Sequence, residues 1–122
     1  MTVKPLAFVV EDDPHLNDII CLTLAPLFSV ESYQRGDLAF YRLGEIVPDI
    51  VVLDINLPKV SGEEILKKLR SDHRFAETKV ILTTADNVNA SVLDSQADIV
   101  LLKPVSPIQL RELAARLSKS PT

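Results

Sequence analysis

Five short strand-like runs alternate with helical patterns along this chain, and that alternation restricts the fold more than any other feature. Residues 6–11, 28–33, 49–54, 78–83 and 98–102 read as strands. Ile50-Val51-Val52-Leu53 is apolar at consecutive positions, the pattern of a strand buried on both faces, whereas 28–33 is more polar. The intervening segments carry apolar stripes at helical spacing. Leu16, Ile19, Ile20, Thr23, Leu24 and Leu27 share one face of a helix over 14–27. Ala39, Phe40, Leu43 and Val47 mark a second, and Ile65, Leu66 and Leu69 a third. The stretch 86–96 is poor in apolar residues and reads as a short helix, and Leu110, Leu113, Ala114 and Leu117 form the last stripe. Capping signals agree: Asp13 before Pro14, Ser61-Gly62-Glu63-Glu64, and Ser106-Pro107-Ile108-Gln109. Strand–helix alternation calls for right-handed crossovers and a parallel sheet covered on both faces.

The length of 122 residues suits a single domain over 1–122, with 118–122 as a tail or the start of a linker. With 47% hydrophobic but only 5% aromatic residues, the core must be mostly Leu, Val, Ile and Ala. A net charge of -4 argues against nonspecific nucleic-acid binding. No apolar stretch reaches membrane-spanning length, and Met1-Thr2-Val3-Lys4-Pro5 does not open a signal peptide. The one cysteine, Cys21, excludes an internal disulfide framework and fits a reducing cytoplasm.

In a parallel α/β sheet, ligands bind beyond the carboxyl ends of the strands. Here those ends carry Glu11 and Asp12, Asp54, Thr84, and Lys103. Clustered carboxylates repel, and a hard divalent cation relieves that repulsion; a few carboxylates suit Mg2+ better than Ca2+. Around a carboxylate nucleophile, metal, lysine and hydroxyl are the parts of phosphoryl transfer. No Cys/His cluster exists for zinc, and His15 and His73 read as surface residues. With only Gly36, Gly44 and Gly62, the chain has no glycine-rich phosphate loop, which argues against ATP as a direct substrate. Each residue also has a plain reading. Asp13 is a helix N-cap, Glu11 and Asp12 are solvated acids, and Asp54 is a turn residue before Pro58. Thr83 rivals Thr84, Gly62 permits a left-handed turn, and Cys21 packs at a helix edge. Jointly these readings require unrelated accidents at one edge of one sheet.

The chain resembles the receiver domains of two-component response regulators over essentially its whole length. The resemblance rests on Val10-Glu11-Asp12, on Asp54 followed by Pro58 and Gly62, on Thr84-Ala85 and on Lys103-Pro104. It implies a flavodoxin-like, doubly wound, five-stranded parallel sheet of order 2-1-3-4-5 with five helices, the one over 86–96 short. It implies that Asp54 is the phosphoacceptor, taking a phosphoryl group from the phosphohistidine of a histidine kinase or phosphotransfer protein. Glu11, Asp12 and Asp54, with the Asn56 backbone carbonyl, would hold Mg2+. Lys103 would contact the phosphoryl group, Thr84 would be the switch hydroxyl, and Lys103-Pro104 would be cis. Asn56, Ala85 and Asp86 stand where the family tunes acyl-phosphate lifetime. Such a domain is not an enzyme in its own right: it assists its own phosphorylation, loses the phosphoryl group slowly, and relays the signal to an output partner or domain.

Three features depart from the family. Val100 stands where an aromatic is frequent, the segment from Thr84 to Lys103 is shorter, and Gln96-Ala97 replaces a common Gly-Ala. They bear on the output face, not on the acid cluster. Two rival functions follow: a degenerate receiver that binds partners without phosphate, and an aspartate-nucleophile phosphatase, which would generally carry an acid where Asn56 stands.

Overall fold

The computed structural model describes residues 3–85 and 96–118. Five strands, β1 (Leu6–Val10), β2 (Ser29–Tyr33), β3 (Ile50–Asp54), β4 (Lys79–Thr84) and β5 (Ile99–Leu102), form one sheet. Its order is β2-β1-β3-β4-β5, and every neighbouring pair is parallel. The helices among the described residues are α1 (Pro14–Leu24), α2 (Gly36–Arg42), α3 (Gly62–Ser71) and α4 (Pro107–Ser118), with a 3-10 turn at His73–Phe75. The expected helix over 86–96 falls almost wholly outside the described residues, as does Asp86.

Alternation along the strands divides the core in two. Ala7, Val9, Val52 and Ile81 face Ile20 and Leu24 of α1 and Leu110 and Ala114 of α4. Phe8, Val10, Leu53 and Leu82 face Ala39 of α2 and Ile65, Leu66 and Leu69 of α3. All five residues of β3 are buried, as a strand covered on both faces must be. Strand order reverses between β1 and β3, which opens a crevice at their carboxyl ends.

The helix stripes need three corrections. The first helix stops at Leu24 rather than reaching residue 27, because Pro26 cannot continue it. Leu27 is therefore exposed and Phe28 takes the core position; Ile19 also faces solvent. Val47 lies five residues beyond α2, which ends at Arg42 and gives way to a turn around Gly44, and Ile46 packs against the core instead. Neither Gly36 nor Gly62 has a positive φ. Gly36 opens α2, where a Cβ would overlap the Val60 carbonyl.

The residue that does take the left-handed region is Lys59, with φ of 69° in the loop between β3 and α3. A side chain is disfavoured there by roughly 1 kcal/mol, and glycine is not. Lys59→Gly is expected to raise stability by about 0.5–1 kcal/mol in urea denaturation, since its larger loss of chain entropy on folding offsets part of the relief.

Candidate functional site

Glu11 follows β1 directly and is 1% exposed, and Asp54, the last residue of β3, is 2% exposed. Asp12 is exposed beside them. One carboxylate oxygen from each of Glu11, Asp12 and Asp54 lies within 4.8 Å of the other two. The pairing of Val10 with Leu53 across β1 and β3 accounts for this: the next residue of each chain segment is an acid, Glu11 just past β1 and Asp54 at the end of β3, and the two emerge together.

Lys103, just past β5, reaches across β4 into the cluster. Its Nζ donates to Asp54 Oδ2 at 3.1 Å and forms an ion pair with Glu11 Oε1 at 3.0 Å. The backbone is equally well held, since the Lys103 amide donates to the Thr84 carbonyl at 2.8 Å. The Lys103–Pro104 peptide is cis. The other oxygens take backbone donors: Asp54 Oδ1 from the Asn56 amide at 3.1 Å, and Glu11 Oε2 from the Asp13 amide at 3.0 Å. Asp13 also caps α1 through His15 and Leu16, so its plain reading as an N-cap stands while its amide serves the cluster.

One ammonium among three carboxylates leaves the crevice short of positive charge. Glu11 Oε1 is buried and, among the described residues, its close partner is the Lys103 ammonium at 3.0 Å, which is shared with Asp54 and leaves the oxygen without a hydrogen bond of good geometry of its own. A buried anionic oxygen in that state, with two more carboxylates close by, is the donor set a hard cation fits. Burial chiefly, and then the like charge of Asp54, push the Glu11 carboxyl up to about 7 against the opposing pull of the Asp13 amide and Lys103. Burial pulls Lys103 down, but the adjacent Glu11 and Asp54 carboxylates leave it above the ordinary lysine value.

The raised Glu11 value has a consequence for stability. A group that holds its proton more tightly when folded stabilises the fold below its unfolded value of 4.5, and that contribution is lost as pH rises through about 7. In chelator, the native chain is expected to lose more stability between pH 5 and pH 8 than Glu11→Gln does. Urea titrations of both proteins at the two pH values measure the difference.

Thr84 ends β4 and is buried; its neighbour Thr83 pairs directly with Asp54 across the sheet. The two side chains point to opposite faces of the strand. Ala85 is exposed, as are Asn56, His15 and His73. Val100 is half-buried and packs against the core on the α2/α3 face. Gly62 sits so close to the end of β3 that a Cβ would overlap the Asp54 carbonyl and come within 2.6 Å of the Ile55 Cα.

One residue at the site escapes a reading of strand ends. Asn17, on α1, is buried and binds the Glu11 carbonyl. Its signal in the sequence is a carboxamide inside the apolar stripe, three residues before Ile20 and seven before Leu24.

The family model described as response regulator receiver domain matches residues 7–115. The transcriptional regulatory protein TrcR of Mycobacterium tuberculosis is 38% identical over 112 residues, covering 89% of this chain and 42% of TrcR. Hybrid signal transduction histidine kinase D of Dictyostelium discoideum is 32% identical over 117 residues, covering 93% of this chain and 7% of the kinase. The chain thus spans less than half the length of either relative. Among solved structures, the response regulator protein TrrA of Thermotoga maritima in complex with Mg(2+)-BeF superposes with a TM-score of 0.81 at 26% identity, covering 93% of this chain and 98% of that one.

Proposed function

The chain belongs to the response regulator receiver domain family of two-component systems, and from that premise we propose that it accepts one phosphoryl group on Asp54 and passes the signal on by changing shape. The observation that carries this reading is the junction at Lys103, whose ammonium touches both buried acids, Glu11 and Asp54. A lysine that only closed a sheet edge would have no reason to be held there by two carboxylates at the strand-order switch.

The donor we propose is the phosphohistidine of a histidine kinase or phosphotransfer protein. An Asp54 carboxylate oxygen attacks the phosphorus, the P–N bond to imidazole breaks as the O–P bond forms, and the departing imidazole nitrogen takes up a proton. Asp54 Oδ1 is oriented by the Asn56 amide and Oδ2 by Lys103, so the nucleophile is fixed at both oxygens before the donor arrives. Lys103 then turns from Asp54 to the equatorial oxygens of the transferring group, where charge grows. Glu11 and Asp12, with Asp54 and the Asn56 carbonyl, would hold Mg2+, which when bound neutralises phosphoryl oxygens and the acid cluster together. In the same reading Thr84 supplies the hydroxyl that answers phosphorylation, and Asn56, Ala85 and Asp86 set how slowly the acyl phosphate is lost. The free thiol of Cys21 is in keeping with a reducing cytoplasm as its compartment.

The phosphatase alternative finds no support at Asn56, which brings a backbone amide to Asp54 and no carboxyl to act as acid. Acetyl phosphate or phosphoramidate with Mg2+, followed by intact mass, tests the proposal. One phosphoryl group per native chain and none on Asp54→Ala is expected. No gain in the native chain, or an equal gain in Asp54→Ala, overturns it. Partner binding indifferent to Asp54→Asn and to Mg2+ would instead mark a phosphate-independent interaction module.

A further inference from the structure

We infer that Asn17 is a positioning residue for the metal-binding acid pair: from inside α1 its carboxamide fixes the peptide of Glu11, and so the placement of the Glu11 and Asp12 carboxylates. This rests on the proposed Mg2+ role of those acids.

Asn17 is 3% exposed on a helix face otherwise occupied by Ile20 and Leu24. A buried carboxamide must spend its hydrogen-bonding groups, and this one spends both N–H groups on the sheet. Nδ2 donates to the Glu11 carbonyl at 3.0 Å and to the Tyr33 carbonyl at 3.2 Å. The Tyr33 carbonyl also accepts the Glu11 amide at 3.0 Å, so the two peptide groups flanking the Glu11 Cα are both fixed. Asn17 Oδ1 accepts from the Cys21 thiol at 3.4 Å, which keeps the amide from turning over.

These bonds close a ring. The Asn17 amide donates to the Asp13 carbonyl at 2.9 Å, and the Asp13 amide donates to Glu11 Oε2 at 3.0 Å. Helix and strand end thereby hold the turn Glu11-Asp12-Asp13 from both sides. The Glu11 carbonyl lies past the last residue of β1, where the ladder with β2 no longer supplies a donor. Without the Asn17 amide it would be a buried orphan acceptor, free to rotate, and the carboxylates on either side of it would rotate with it. Groups that orient metal ligands in this way typically govern metal affinity by tenfold or more.

Titration calorimetry of the full chain with Mg2+ alone separates positioning from ordinary packing. Asn17→Leu fills the same space on the helix but cannot donate, and is expected to bind Mg2+ about 10-fold more weakly than the native chain. Ile20→Val, a packing loss on the same helix face, is expected to lower stability and leave the Mg2+ affinity unchanged. If Asn17→Leu does not fold, Asn17→Ser decides, with the same direction of change. Native affinity in the asparagine variant that folds, or equal weakening in Ile20→Val, overturns the inference. A native chain that binds no Mg2+ overturns the metal reading itself, and this inference with it, in a result visible before any variant is made.

Discussion

Gly62→Ala is expected to destabilise the protein by about 3 kcal/mol, the upper range for forcing extra volume into a packed site, although the glycine lies on a helix where alanine is ordinarily the better residue. The added Cβ would meet backbone, the Asp54 carbonyl and the Ile55 Cα, and backbone cannot swing aside as a flexible side chain can. The Gly62 amide also donates to the Ile55 carbonyl at 3.2 Å, so α3 is seated on the end of β3 by direct backbone contact. Relieving the overlap must lift α3 or displace residues 54–55, and either moves the Asp54 carboxylate relative to Glu11 and Lys103. The expected result is therefore double: a lower urea midpoint, and slower phosphoryl incorporation from a small donor even at temperatures where the variant is fully folded. A variant as stable as the native chain would show that the approach of α3 to β3 is not as close as described.

Lys103→Met is expected to separate two properties that a generic loss of structure would move together. Removing the ammonium leaves Glu11 and Asp54, both with side chains 1% exposed, without their shared counter-charge. Breaking a buried pair from one side costs roughly 3 kcal/mol, and the loss should be largest at high pH in chelator, where both acids are ionised. The same change removes the cation that competes with Mg2+ for those oxygens, so Mg2+ should bind at least as tightly as to the native chain. Phosphoryl incorporation should nevertheless slow by about 100-fold at saturating Mg2+, because the donor that meets the growing charge is gone. Calorimetry and a mass-detected time course give the two halves. Weaker Mg2+ binding, or an unchanged rate, would contradict the role assigned to Lys103.

The strand ends were legible in the sequence because they follow from local facts. A buried parallel strand is a run of apolar residues, and the first charged residue after it is at the sheet edge; Glu11, Asp54 and Lys103 stand in that position. Sheet order follows from the family resemblance, and order is what makes the acids neighbours. The helix faces were less legible, because an apolar stripe does not know where the helix ends. Both helices end before their stripes do, α1 at Leu24 ahead of Pro26 and α2 at Arg42 ahead of a turn, leaving Leu27 and Val47 exposed. Gly62 shows a different limit: its sequence signal is the same for a left-handed turn and for a close backbone approach, and only the packing of α3 on β3 tells them apart. Asn17 is the clearest case. Its bonds run to Glu11 and Tyr33, residues brought together only when β1, β2 and α1 have assembled. Along the chain it is simply a polar interruption in a helix.

In the proposed reading, Asp54 alone among the four acids near the β1/β3 crevice forms the acyl phosphate. Borohydride reduces an aspartyl phosphate to homoserine and leaves free carboxylates untouched, so peptide mass spectrometry after treatment with a small phosphodonor reads the site directly. Homoserine is expected at position 54, dependent on Mg2+, with Glu11, Asp12 and Asp13 unmodified. Reduction at any of those three acids instead of Asp54, or at Asp54 equally in chelator, would contradict it.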